Sequence, residues 1–465
     1  MKQMVDYRLT QADLKAFSEN QAEATRQIIH KLDYPEAVTM SWMNMLKMTF
    51  FTTPAAHRDL LVNQAEKFHR DPRSGRLFRF IMGESVFTAE GKEWKRRRRL
   101  VQPAFHAIRI NTYAETMATY TAEMVAEWEH ETTVDIERAM TDLTMRIIAS
   151  TMFGVDLKST VEELGQLMHT VLKVGEQRVK ELIPLPDWFP SPAYRKQRAA
   201  LNELKRILAD IIAERRKTGA DHGDLLSMLL LSEDENGDLL SEDEALSEAI
   251  TLFVAGHETT AVTLMWTFTL LAQHPRVAEK LHAELDTVLA ERVPTLEDLP
   301  NLPYTEMVMK ETLRLYPAAY NFGRVSTQDV TVDGFALPAK RMVMMSPYIL
   351  QRHPALFTEP DTFHPERFAT ETGDDIEKYA FIPFGAGPRV CLGNMFAMLE
   401  IRLLLATIAS RVMLSLPSDT DVKMIPQVTL HPMIEGQTGI PMTVARRREK
   451  IALSGFRGFV TTSHE

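Results

Sequence analysis

The stretch from Ser241 to Gln273 constrains this chain more than any other. It opens on Ser241 with Glu244 three residues later, is mostly apolar from Ala245 onward, and closes at His274-Pro275. Ser followed by Glu at that distance is a capping box, and the residue before a proline disfavours helix. The pattern predicts a single helix about 50 Å long at ~1.5 Å per residue. A helix that is apolar on nearly every side has to be buried, so the rest of the chain must wrap it as a central rod.

The chain is long enough to do so. It has 465 residues, 45% hydrophobic and 25% charged, an ordinary globular balance that can bury a core and still enclose a cofactor cavity. The net charge of −10 gives no support to a general nucleic-acid role. One cysteine, Cys391, excludes an intrachain disulfide and fits a reducing compartment. The N-terminal segment 1–34 has no apolar run long enough for a signal peptide or a span, and the run Met40–Phe51 is interrupted by Asn44 and Lys47. The expectation is a cytoplasmic protein with no membrane anchor.

No repeat or low-complexity linker divides the chain. Asn111 to Gln273 reads as mostly helix, with breaks at Ile183–Pro192 (Pro184, Pro186, Pro190 and Pro192) and at Ser232–Asp238, where Asn236-Gly237 signals a turn. Helices are predicted over Val277–Glu291, Tyr304–Tyr316 and Leu392–Arg411. Between the last two lie short alternating runs at Gly323–Ser326, Val330–Val332 and Arg341–Met345, with a turn at Asp333-Gly334. A loop rich in proline and aromatics follows from Gln351 to Pro388. The fold class is mainly α with a small β-rich lobe: one domain over 35–445, then a polar tail over 446–465.

The strongest local signal is Phe384-Gly385-Ala386-Gly387-Pro388-Arg389-Val390-Cys391-Leu392-Gly393. Cys391 stands just before an apolar helix, where backbone N–H groups and the helix dipole can hold a negative sulfur. Gly385, Gly387 and Gly393 let the backbone approach a flat macrocycle, and Phe384 can pack beside the sulfur and keep water out. A lone cysteine is more commonly a small buried hydrophobe. The surrounding loop reverses those odds. It resembles the cysteine loop of the cytochrome P450 family, Phe-x-x-Gly-x-Arg-x-Cys-x-Gly, at every fixed position.

Other segments resemble the same family in the family's order, over roughly residues 35 to 445. Glu311-Thr312-Leu313-Arg314 resembles its Glu-x-x-Arg motif, and Pro365-Glu366-Arg367-Phe368 the downstream segment whose Arg completes a structural network. Ala255-Gly256-His257-Glu258-Thr259-Thr260 resembles its oxygen-activation motif. Gly and two Thr inside a buried helix break the local propensity rules, which often marks function, although a packing notch or a kink explains such a run equally well. Trp94-Lys95-Arg96-Arg97-Arg98 resembles its Trp-x-x-x-Arg helix.

The resemblance implies the cytochrome P450 fold, with a long central helix and a cysteine-ligand loop around haem b, an iron protoporphyrin. Cys391 would be the axial ligand of the iron, a thiolate whose electron density favours O–O cleavage. Trp94, Arg98, Arg324 and Arg389 would bind the propionates. Phe384, Gly385, Gly393, Ala255 and Gly256 would contact the cofactor, with Gly256 leaving room for oxygen. Thr259 would hydrogen-bond dioxygen and Glu258 would relay protons. Glu311, Arg314 and Arg367 would hold the scaffold. Phe80, Ala255, Ala319 and Phe322 would bound the substrate pocket.

The implied activity is insertion of one oxygen atom from O2 into a small apolar substrate, by hydroxylation or epoxidation. A peroxide-driven peroxygenase and a non-catalytic haem sensor or ligand carrier are alternatives; an intact Glu258-Thr259 pair argues against both. No flavin or nicotinamide fingerprint is present, so electrons must come from a separate donor, a ferredoxin or flavodoxin with its reductase, and ultimately NAD(P)H. Lys92, Lys95, Arg96, Arg97 and Arg99 form a basic run expected to be partly exposed and to attract that donor. The long, arginine-rich N-terminal half is closer to soluble fatty-acid hydroxylases than to small terpene hydroxylases.

Overall fold

Residues 2–43, 46–154, 161–180, 191–219, 221–290, 292–370 and 373–447 are described in a computed structural model. The N-terminal part mixes strands and short helices: β1 (Val5–Arg8), α1 (Gln11–Lys31), β2 (Ala37–Trp42), β3 (Leu46–Phe51), α2 (Pro54–Arg58), β4 (Phe68–Arg70), α3 (Pro72–Met82) and α4 (Gly91–Val101). A helical block follows, with α5 (Ala107–Ile110), α6 (Ala114–Glu127), β5 (Thr133–Asp135), α7 (Ile136–Phe153), α8 (Val161–Lys180), α9 (Pro192–Thr218) and α10 (Leu225–Leu231). The central rod is α11 (Glu242–Gln273), followed by α12 (Pro275–Leu289) and α13 (Pro303–Leu315). The chain then forms β6 (Phe322–Ser326), β7 (Val330–Val332), β8 (Phe335–Leu337), β9 (Met342–Met345) and α14 (Pro347–Leu350). It closes with α15 (Asn394–Arg411), β10 (Val412–Ser415), β11 (Val422–Pro426), β12 (Leu430–Ile434) and β13 (Pro441–Arg446).

The central helix starts and stops where its signals lie. Ser241 Oγ accepts from Glu244 N–H, and the Glu244 carboxylate accepts from Ser241 N–H at 2.8 Å. It runs for 32 residues, most of them buried. Its neighbours α12 and α13 start two residues and one residue earlier than expected, at Pro275 and Pro303. A proline that ends one helix also serves as the first residue of the next, because its missing N–H is not needed there. The predicted break at Ser232–Asp238 is a turn with Gly237 at φ 81°. The break at Ile183–Pro192 lies outside the described residues except for its end, where Pro192 opens α9. The polar tail, apart from its first two residues, also lies outside them.

The β lobe is larger than expected. Its main sheet has six strands in the order β1-β2-β3-β9-β6-β4. The N-terminal strands join the predicted ones through a parallel pairing of Met48–Phe50 with Met342–Met344. Residues 1–34, expected to precede the domain, carry β1 and α1. Strand β1 pairs with β2, and the Asn20 side chain on α1 donates to Met424 O at 2.9 Å.

Two contacts fix the rod against the rest of the protein. Trp266 is buried, stacks on Tyr316 at 3.6 Å between ring centroids, and donates its indole N–H to Leu430 O at 2.7 Å. Helix α7 also packs closely on α11, and a Cβ added at Gly256 would stand 2.9 Å from Ile148 Cδ1.

Candidate active site

The cysteine loop is held by its own backbone. Gly385 N–H donates to Ile382 O, Val390 N–H to Gly387 O and Cys391 N–H to Phe384 O, each at 3.0 Å. Gly385 and Gly387 both sit at φ 70°, which only glycine adopts freely. Gly387 has a second reason to lack a side chain: a Cβ there would run into the backbone carbonyl of Leu61, in the one-turn π-helix Asp59–Asn63. Phe384 is half-buried beside the core.

Cys391 is exposed, yet burial is the largest influence on its thiol and pushes it up. Both hold if the sulfur lies in a recess: a probe reaches it, but dense protein around it still removes most of its water. Gly393 N–H, at the N-cap of α15, and the Arg98 guanidinium offset part of that rise. A bound cation would complete the deprotonation, because a coordinating thiol loses its proton.

Behind the loop lies a buried ion network. Glu311 accepts from Arg314 Nε at 2.7 Å and Nη2 at 2.8 Å, from Arg367 Nε at 3.0 Å and from His364 N–H at 2.9 Å. Arg314 Nη1 donates to Gln351 O and Pro360 O, both at 2.7 Å. Gln351 in turn donates to Leu313 O and Arg314 O and accepts from Ile382 N–H at 2.9 Å. The end of α13 is thereby tied to the segment that enters the cysteine loop.

Four guanidiniums gather beside this loop. Arg70 on β4 and Arg324 on β6 are register partners on adjacent antiparallel strands. Like charges directly opposite one another are destabilising. Arg70 Nε is buried without a hydrogen-bond partner, and the guanidinium lies 4.2 Å from the Phe87 ring centroid. Burial, reinforced by repulsion from its neighbours, pulls Arg70 down to about 9 and Arg324 to about 10. Arg389 pairs with Glu90, donates to Ala89 O at 3.1 Å and lies 4.4 Å from the Trp94 ring. Arg98 Nη1 donates to Val390 O at 2.8 Å, beside Cys391. Buried cations with so few counterions call for an anionic group, and the two carboxylates of haem meet that need. Arg70 was not legible as a member of this set. Nothing in its sequence neighbourhood shows that β4 would bring it opposite Arg324.

An open strip runs along one side of the buried rod. Ala255 is exposed and Gly256, Glu258 and Thr259 are half-buried, whereas 249–254 and 260–271 are buried. Thr259 Oγ donates to Ala255 O at 2.9 Å. Glu258 Oε1 accepts from His431 Nε2 at 2.9 Å and from Thr429 Oγ at 3.2 Å. Burial acts most strongly on this carboxyl and upward, but His431, His257 and Thr429 together hold it below the usual range. The missing side chain of Gly256 makes way for Ile148 on α7, which gives this glycine a packing reason.

The expected pocket residues are spread over three elements. Phe80 is half-buried on α3, a helix that packs on α8 and α11. Ala319 is exposed between α13 and β6, and Phe322 is half-buried at the start of β6.

The basic run is exposed in part: Lys92, Lys95 and Arg99 are exposed, whereas Arg97 is buried. Arg97 is 5% exposed and pairs with Glu93 at 2.6 Å, Glu248 at 3.1 Å and Glu244 at 3.3 Å. Arg96 pairs with Asp234 and Glu244, and Arg99 with Glu235. Only neighbouring turns of one helix separate these arginines, and the acids that claim them come from the start of α11 and the turn before it. Reversing Arg97 would therefore place a carboxylate among carboxylates. Arg97→Glu is expected to cost about 3–5 kcal/mol, the range for breaking a buried pair. Thermal unfolding checks this: a melting temperature within a degree or so of wild type at both low and high salt would show that Arg97 is not a buried tie.

Residues 15–436 match the family model "Cytochrome P450". A cyclooctat-9-en-7-ol 5-monooxygenase of Streptomyces melanosporofaciens is 39% identical over 72% of this chain and 73% of that protein. Cyclooctatin synthase of the same organism is 36% identical over 75% and 77%. Pentalenene oxygenase of Streptomyces avermitilis is 33% identical over 76% and 79%. A family match over most of the chain agrees with the fold and with a cysteine loop set beside buried cations. The chain belongs to the cytochrome P450 family and is a haem-dependent monooxygenase.

Proposed function

We propose that this monooxygenase holds haem b on Cys391 and oxidises an apolar, olefinic carbon skeleton with Thr259 and Glu258 delivering protons. The observation that carries the reading is the open strip of α11, where Glu258 and Thr259 are half-buried between the buried stretches 249–254 and 260–271. The haem, when bound, supplies oxygen activation and the oxidation of substrate. The chain supplies the rest. Cys391 Sγ would hold the iron, and Trp94, Arg98, Arg324, Arg389 and Arg70 would receive the carboxylates. Thr259, whose Oγ–H now donates to Ala255 O, would turn to deliver that proton into the open strip. Glu258 would resupply it from its carboxyl. Phe80, Ala255, Ala319 and Phe322 line the substrate side and exclude water, which strengthens each of these polar contacts.

Names of the relatives, with cyclooctat-9-en-7-ol and pentalenene among them, favour such skeletons over the fatty acids suggested by the N-terminal half. Electrons come from a separate ferredoxin or flavodoxin, and the protein works in the cytoplasm. Among the described residues no helix is long and apolar enough to cross a membrane.

Thr259→Ala tests the assignment. Reductant-driven oxygen uptake is expected to continue while peroxide replaces water and oxidised product, because the last proton donor is gone. Loss of one positioned donor of this kind costs about 10²–10⁴ in the proton-dependent step. A variant with the wild-type peroxide fraction would remove Thr259 from the reaction. Product formation driven by NADPH through a reductase, compared with peroxide alone, separates the monooxygenase from a peroxygenase.

A further inference from the structure

We propose that His431 forms the solvent-side limb of the proton path that ends at Glu258. The proposal rests on the proton-delivery role just assigned to Glu258.

A carboxylate on a buried helix has to be paired. An arginine or lysine would keep Glu258 ionised permanently. Its partner here is His431, and histidine is the side chain that gains and loses a proton near neutral pH. The imidazole Nε2 is 2.9 Å from Glu258 Oε1, a direct hydrogen-bonded route for one proton. The ring is also held in place. It sits on β12, next to Leu430, whose carbonyl accepts the Trp266 indole N–H at 2.7 Å. That bond pins the β11–β12 hairpin to α11 two turns beyond Glu258, so anchoring the hairpin does not require a histidine.

Glu137, in the first turn of α7, is half-buried and feels the charge of His431. Burial is the main reason its carboxyl is held high; the charges of Asp135 and Glu258 add to it, and His431 opposes it. The titratable group in hydrogen-bond contact with His431 is Glu258 on α11; His257 lies beside Glu258, and Asp135 acts on Glu137. Asp135 is occupied as a cap, accepting from Glu137 N–H at 3.1 Å and Ile440 N–H at 2.9 Å. An imidazole in direct contact with the Glu258 carboxylate is placed to pass it a proton.

The step balances as a proton transfer. The Nε2–H bond of the imidazolium breaks and an O–H bond forms on Glu258. The neutral ring then takes a proton from solvent water, whose O–H bond breaks. No electrons move, and the cluster regains its charge once Glu258 has passed its proton on. His431 acts through Glu258 and touches no substrate, so it is a positioning and relay residue.

Two measurements test this on the holoenzyme. The ferrous, carbon monoxide-bound protein is diamagnetic, so histidine ring protons can be followed by NMR, with His431 assigned by its absence in His431→Gln. The His431 midpoint is expected to fall in Glu258→Gln, where a neighbouring negative charge is lost. In reactions driven by NADPH through a surrogate ferredoxin and reductase, oxygen uptake and peroxide release are then compared. His431→Gln keeps a donor for Glu258 but carries no exchangeable charge. The fraction of oxygen released as peroxide is expected to rise about tenfold or more relative to water, and to lose its pH dependence. A midpoint that ignores Glu258→Gln, or a wild-type peroxide fraction in His431→Gln, overturns the proposal. Absence of a thiolate-type spectrum in the wild-type protein would overturn the underlying monooxygenase reading instead, so the two failures are distinct.

Discussion

Glu311→Ala is expected to lose haem together with about 3–5 kcal/mol of stability, because two buried guanidiniums lose their shared carboxylate. A surface pair would cost about 0–1 kcal/mol, so magnitude alone separates the two cases. The side chains of Glu311 and Arg314 are fully buried and that of Arg367 nearly so. Burial already lowers the Arg314 guanidinium in the wild-type protein, with Glu311 opposing that effect. Without Glu311 nothing opposes it. The damage then reaches the cofactor through Gln351, which links the carbonyls at the end of α13 to Ile382 N–H at the entrance to the cysteine loop. Melting temperature and haem content of the purified variant are the measurements. Full haem occupancy with an unchanged melting temperature would show that the triad is dispensable.

Gly387→Ala is the second large effect. At φ 70° an alanine costs ~1–2 kcal/mol in backbone strain alone. The added Cβ also meets the Leu61 carbonyl, which is backbone and cannot swing aside. The cysteine loop has to lift from the Asp59–Asn63 turn, and the sulfur moves with it. The expected outcome is protein with little haem, or haem without a thiolate ligand. Gly385→Ala is the control: it has the same φ, with nothing within 4 Å of its added Cβ. It carries the strain without the collision and should retain more thiolate-bound haem. If the two variants behave alike, strain and not contact accounts for Gly387.

Much of the fold was legible in local signals. The capping box at Ser241, the His274-Pro275 stop and the Asp333-Gly334 turn each act within a few residues, so the sequence displays them directly. The N-terminal strands were not legible. Strand β3 is completed by β9, far away in the chain, and its run Leu-Lys-Met-Thr-Phe-Phe carries neither a clean alternation nor a β-branched bias. The same distinction divides the site. The cysteine loop and the Glu311 motif are contiguous patterns that can be recognised as such. Arg70 and His431 act through partners that only the tertiary fold supplies, across strands β4 and β6 or across 173 residues of chain. Arg97 and Arg98 show the limit most clearly. They are adjacent in sequence, yet successive residues of a helix point about 100° apart, so one enters an acidic network while the other reaches the cysteine loop. No count of charges along α4 could assign those directions.

The central claim is that Cys391 becomes the thiolate ligand of the haem iron. It is the single cysteine in the chain, so no other residue can supply that ligand. The most direct measurement is the absorption spectrum of the reduced, carbon monoxide-bound holoenzyme beside that of Cys391→His. Wild type is expected to show the red-shifted Soret band of thiolate ligation, and Cys391→His to lose it while keeping haem. An unshifted band in freshly prepared, correctly folded wild-type protein would contradict the account.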